Sequence, residues 1–205
     1  VLQKVGYDPA RYAIQCLVHK QSPDITAGVD CSLERRRNPS EDQPALQLGA
    51  GDQGVMVGYA CSETPQMMPL PVVLSHRLTS ALAAARKTGV VRGLRPDGKA
   101  QVTVEYGENG TPLRLDAIVL SAQHSPNKPV DELCWELTDK VLAPALQALP
   151  PDEDTKILLN PSGRFVLGGP EADTGLTGRK LMVDSYGAFA PHGGGAFSGQ
   201  DPTKV

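Results

Sequence analysis

QVTVEY at 101–106, GENG at 107–110 and LRLDAIVLSAQ at 113–123 decide the fold. Two apolar, β-branched runs flank a short turn rich in glycine and asparagine, which reads as a β-hairpin and its partner. Around the hairpin lie two helical patterns. VVLSHRLTSALAAARKT (72–88) sets Val72, Leu78, Leu82 and Ala85 on one stripe, puts Arg86 and Lys87 in the last turn and offers Gly89 as the C′ residue. Residues 130–148 repeat the pattern with Val130, Leu133, Cys134, Leu137, Val141, Leu142 and Ala145; Pro129 suits the first turn, and Pro144 is expected to kink or end the helix. KILLN, GRFVLGG and KLMVDSY read as further short strands, and Ala13 to Val18 as another. Hairpins mixed with helices favour an α+β plan, sheets covered by helices on one face, over a doubly wound parallel sheet.

The polar stretch 21–47 holds few large apolar residues and is expected to be a loop or lid. The 205 residues carry 21 Gly and 18 Pro, above the usual ~12% for the pair. The 40% hydrophobic fraction is enough for a buried core. A net charge of −3 gives no basic footprint for nucleic acid. No apolar run approaches the ~20 residues of a membrane-spanning helix. The opening VLQKVGYDPA has no basic n-region or h-region, so a signal peptide is not expected. Cys16, Cys31, Cys61 and Cys134 form no C-x-x-C pair; reduced thiols in a cytoplasm are expected, with Cys134 packed in the core.

Glycine and charge concentrate in GAGDQG (49–54), GGPEADTGLTGRK (168–180) and HGGGAFSGQDPTK (192–204). Glycine lets backbone N–H groups approach an anion, and Arg179, Lys180 and Lys204 beside such turns would complete a polyphosphate site. Asp52 or Asp173 suits a ligand ammonium or a metal. Any one segment is as readily an ordinary turn; the three together favour a nucleotide. Gly194 to Gly199 has the spacing of a P-loop, but Gln200 and Asp201 stand where that motif needs Lys and Ser or Thr, so it is rejected. His124 and His192 read as loop histidines without a task.

GAGDQG, QSPDITAGVD, RPDGKAQVTVEY, SAQHS, NPSGRFVLGGPEADTGLTGRK, VDSYGAFAPHGGGAFSG and DPTKV run across most of the chain, which by these motifs resembles the S-adenosylmethionine synthetase (methionine adenosyltransferase) family. The resemblance implies synthesis of S-adenosylmethionine from ATP and L-methionine, with Mg2+ and K+, in a homodimer or homotetramer whose active site lies between subunits. It implies an incomplete set of interwoven two-layer sheet/helix subdomains in pseudo-threefold arrangement. Residues 63–168 would form one subdomain, 1–30 with 169–205 parts of a second, and 31–62 a piece of a third, with 21–47 including a gating loop.

The same resemblance assigns roles residue by residue. Lys99, Arg179, Lys180 and Lys204 would be catalytic, facing the phosphates of the leaving triphosphate. Arg164 and Phe165 match a nucleotide-contacting pair, with Asp97, Gly98, Asp173 and the backbone of Ala196 also at the substrate. Gln21 and Asp52 match residues near methionine. Gln200 stands where the family has a phosphate-facing lysine; a neutral amide there is expected to weaken transition-state stabilisation by about 2–4 kcal/mol. Ala172 replaces a usual glycine and is expected to stiffen its turn. The family's Gly-His-Pro-Asp-Lys segment and the Asp-Arg pair after Lys204 are not in this sequence, so a fragment without metal ligands is expected. A non-catalytic nucleotide-binding or assembly subunit is the alternative to the enzyme.

Overall fold

The computed structural model describes residues 2–39, 57–173, 175 and 178–193. The chain forms two compact units, Val1–Pro9 with Tyr59–Gly175, and Ala10–Gly58 with Leu176–Val205.

The first unit is a mixed α+β arrangement in which a short helix, α1 (Leu2–Val5), precedes the expected hairpin. β1 (Leu94–Tyr106) and β2 (Pro112–His124) pair antiparallel, and β3 (Lys156–Leu159) adds to β2 in parallel, giving the order β1-β2-β3. The register sets Val102 opposite Ile118, Ala100 opposite Leu120, and Leu120 beside Leu159. These side chains share one face, because alternate residues of a strand point the same way. On that face pack α4 (Leu70–Thr88) through Leu74, Leu78 and Leu82, and α5 (Val130–Leu137) through Leu133 and Leu137. Leu74, Leu78, Leu133 and Leu137 are fully buried. Each contributes about 2 kcal/mol of transfer free energy. That sum outweighs the few tenths per residue that separate good from indifferent helix formers, so the stripe holds the helices in place.

The ends of α4 are set by chemistry already visible in the sequence. Gly89 closes it at φ 73°, in the left-handed region where a Cβ is disfavoured. At its start the Glu63 carboxylate accepts the Leu70 N–H at 2.9 Å and the Tyr106 hydroxyl at 2.8 Å. Burial and this carboxylate together hold the Tyr106 phenol well above its ordinary pKa. α5 runs into a π-turn at Thr138–Leu142 and a last short helix, α6 (Ala143–Ala145). Pro144 has no N–H to offer the Lys140 carbonyl, and the widened turn lies over those residues. Cys134, expected in the core, is only half-buried; its thiol points at the Leu159 carbonyl, 3.8 Å away, and burial, reinforced by Asp131, pushes the thiol pKa up.

Several expected strands are not strands. GRFVLGG makes none, because its backbone groups are taken by side chains of β1 and β2, as described below. In the second unit, Ala13 to Val18 forms no strand, and Ile14, Leu17 and Val18 are exposed. KLMVDSY yields a helical turn, α7 (Leu181–Asp184). The described part of the polar 21–47 stretch is more ordered than a loop. α2 (Pro23–Val29) starts at Pro23, pre-set for a first turn, and α3 (Leu33–Arg37) is capped where the Ser32 hydroxyl accepts the Arg35 N–H at 3.2 Å.

Candidate functional site

In the first unit three pieces of chain meet at the open end of the hairpin: the first residues of β1 up to Lys99, where the register shifts between Leu94 and Gly98, the last residues of β2, and the segment 160–169. Leu120, Ala122 and His124 turn their backbone groups toward the β3 edge. There the Leu120 carbonyl accepts the Asn160 N–H at 2.9 Å. Ala122 pairs twice with the Asn160 side chain, its N–H donating to Oδ1 at 2.8 Å and its carbonyl accepting from Nδ2 at 3.0 Å. His124 donates its N–H to the Phe165 carbonyl at 2.9 Å. Asn160 sits at φ 41°, a conformation asparagine tolerates better than most residues, and so ends β3 while continuing the ladder with its amide.

Side chains complete the attachment. The Phe165 N–H donates to His124 Nε2 at 3.1 Å. Gln123 accepts the Asp97 N–H at 3.2 Å and donates to the Val166 carbonyl at 3.0 Å. The Asp97 carboxylate accepts the Gly169 N–H at 2.7 Å. The glycines here have steric reasons of their own. A Cβ on Gly98 would lie 2.7 Å from Leu82 Cδ2 and 3.0 Å from the Ser121 carbonyl, so β1 needs glycine there to lie against α4. Gly169 has φ 65°, and a Cβ on it would fall on the Tyr7 hydroxyl. Gly169→Ala is therefore expected to destabilise the protein by about 2 kcal/mol, through left-handed strain and overlap together. Thermal melts of Gly169→Ala with and without Tyr7→Ala check this; the second change should recover part of the loss.

The structure thus brings Asp97, Gly98 and Lys99 into one hydrogen-bonded assembly with the segment carrying Arg164 and Phe165. Lys99 lies on β1 opposite Ser121 and is exposed; Arg164 is exposed and Phe165 half-buried. Asp173 is exposed in the same unit. Ala172 sits at φ −99°, ψ −41°, which any residue adopts, so alanine carries no strain there. Gln21, Arg179 and Lys180 belong to the second unit and are exposed, with Arg179 and Lys180 directly preceding α7. Asp52, Ala196, Gln200 and Lys204 lie outside the described residues.

Sequence reasoning missed Gln123, His124 and Asn160. His124 is no loop histidine: it ends β2 and is buried, as are Gln123 and Asn160. The available signal was the polar pair Gln123-His124 closing β2 just after its apolar run 117–120. A groove of about 540 Å³ between α4 and the 144–148 segment is lined by none of the candidate residues. No helix among the described residues is long and apolar enough to cross a membrane.

Residues 47–165 match the family model described as S-adenosylmethionine synthetase, central domain, and residues 167–205 the one described as S-adenosylmethionine synthetase, C-terminal domain. Two curated relatives bear the name S-adenosylmethionine synthase. That of Pseudothermotoga lettingae is 52% identical over 202 residues, covering 98% of this chain and 51% of the relative. That of Petrotoga mobilis is 54% identical over 202 residues, covering 98% of this chain and 50% of the relative. The chain spans about half the length of the curated relatives it matches.

Proposed function

The chain belongs to the S-adenosylmethionine synthetase family, and from that premise we propose that the intact protein is a methionine adenosyltransferase. The sulfur of L-methionine attacks C5′ of ATP. The S–C bond forms as the C5′–O bond breaks, the electron pair leaves with triphosphate, and sulfur becomes a sulfonium. Triphosphate is then hydrolysed to diphosphate and phosphate. The leaving group carries about four negative charges, so the chemistry calls for fixed positive charge around it. Lys99, Arg179, Lys180 and Lys204 supply that charge. Arg164 and Phe165 hold the nucleotide, with Asp97, Gly98, Asp173, Ala196 and Gln200 around the substrate, and Gln21 and Asp52 serve methionine.

The observation that carries this reading is identity of 52% and 54% to two synthases over 98% of the chain. Those names favour an enzyme over a non-catalytic assembly subunit. Mg2+ and K+ enter the reading through the family. Among the described residues no group of three or more His, Cys, Asp or Glu side chains is arranged to hold a metal ion. No step above is routed through these ions. The reading further includes the pseudo-threefold subdomain plan with 63–168 as one unit, a gating loop within 21–47, a homodimer or homotetramer with sites between subunits, and a cytoplasmic location. The test incubates the intact protein with ATP, L-methionine, Mg2+ and K+ and follows product by mass. S-adenosylmethionine in step with diphosphate and phosphate is expected; ATP consumed without a methionine-dependent sulfonium product would refute the assignment.

A further inference from the structure

We propose that His124 and Gln123 are positioning residues for the nucleotide, a clamp that presets Phe165 and ties it to the start of β1, which bears Lys99. The proposal rests on the reading above, in which Arg164 and Phe165 contact ATP.

Burying an amide and an imidazole is costly unless their polar atoms are paired. Here each is. Gln123 is 4% exposed and His124 1% exposed. His124 Nδ1 lies 3.0 Å from the Ser125 carbonyl, a pure acceptor, so the proton is on Nδ1. Nε2 is thereby left as the acceptor the Phe165 N–H requires. With its own N–H donating to the Phe165 carbonyl, His124 holds both backbone groups of Phe165. Gln123 fixes the next residue through the Val166 carbonyl and reaches back to the Asp97 N–H. Asp97 closes the circuit on Gly169.

Two short segments from distant parts of the sequence are therefore joined by the buried side chains of Gln123 and His124 and the half-buried carboxylate of Asp97. Residues 164–166 form no strand or helix of their own, so without the clamp their backbone would be ordered only on binding ligand. A site whose ordering precedes binding keeps that entropy out of the affinity, which reads out chiefly in the KM for ATP.

The experiment compares His124→Asn with His124→Gln in the intact protein. A glutamine can present its carbonyl oxygen where Nε2 lies and still accept the Phe165 N–H. An asparagine reaches only the position of Nδ1. His124→Asn is expected to raise the KM for ATP about tenfold with the KM for methionine unchanged, and His124→Gln to stay within about twofold of wild type. Gln123→Glu keeps an acceptor for Asp97 and loses the donor to Val166; it should also raise the KM for ATP, and provides the assay if the histidine variants do not fold. A clamp that merely stabilised the fold would lower the melting temperature in both histidine variants and leave both KM values alone; that result, or equal KM changes in the two, overturns the proposal. If wild type does not turn over ATP, the functional reading is what fails. Amide exchange over 164–169 then decides the clamp itself: faster exchange in His124→Asn than in His124→Gln supports it, and equal exchange refutes it.

Discussion

Lys99→Ala in the intact protein is expected to lower kcat for S-adenosylmethionine formation by about two to three orders of magnitude, the usual cost of removing one fixed charge or donor aimed at a developing anion. The melting temperature should barely move. Lys99 is exposed, and its side chain makes no hydrogen bond or ion pair with another described residue. Substitutions of that kind usually stay within about 0.5 kcal/mol. Its neighbours, by contrast, are fixed in the fold: Gly98 is pressed against Leu82, and Asp97 holds Gly169. A strand thus presents a cation that the described residues do not pair, as an electrostatic role in catalysis requires. Lys99→Arg separates charge from shape. If charge alone matters, arginine restores most of the rate; if the ammonium fits one phosphate oxygen, the planar guanidinium restores little. Steady-state kinetics at saturating ATP and methionine supply the number, and an Ala variant with kcat near wild type removes Lys99 from the catalytic set.

The sequence announces those parts of the fold where one periodicity runs long enough. The hairpin and α4 are legible because Val102, Ile118 and Leu120 alternate, and because Leu74, Leu78 and Leu82 recur at helical spacing against the same core. Short apolar runs are not legible, since period and length cannot tell strand from turn. KLMVDSY has the residues of a strand and makes a helical turn instead. GRFVLGG is apolar enough to pair, but its hydrogen bonds are claimed by His124, Gln123 and Asp97 from positions 41 or more residues away in sequence. The site divides in the same way. Lys99, Arg179 and Lys180 are candidates because their motifs resemble a family, whereas Gln123 and His124 are marked only by a polar pair at the end of a strand and Asn160 by no pattern at all. Their importance lies in satisfying backbone groups that only the folded chain brings near.

Asn160→Ala is the stability change with the largest expected effect, and the reason is local. β3 is only four residues long, so its ladder with β2 would stop before the core does. The Asn160 amide extends the ladder by one pair, giving the Ala122 N–H an acceptor at 2.8 Å and its carbonyl a donor at 3.0 Å. Ala122 is fully buried and Asn160 is 3% exposed, so water cannot substitute for either bond. Alanine leaves both groups of Ala122 unpaired, at about 1–3 kcal/mol each, and must adopt φ 41° at a further cost of about 1 kcal/mol. A total near 4 kcal/mol corresponds to a melting temperature lower by roughly 10 °C. Asn160→Gly divides the two causes, because glycine takes the backbone angle freely but makes neither amide bond. It should be about 1 kcal/mol more stable than the alanine variant and still well below wild type. Melting of Asn160→Ala within about 3 °C of wild type would mean that Ala122 finds other partners. Full recovery with glycine would assign the loss to backbone strain rather than to the ladder that carries β2 into Phe165.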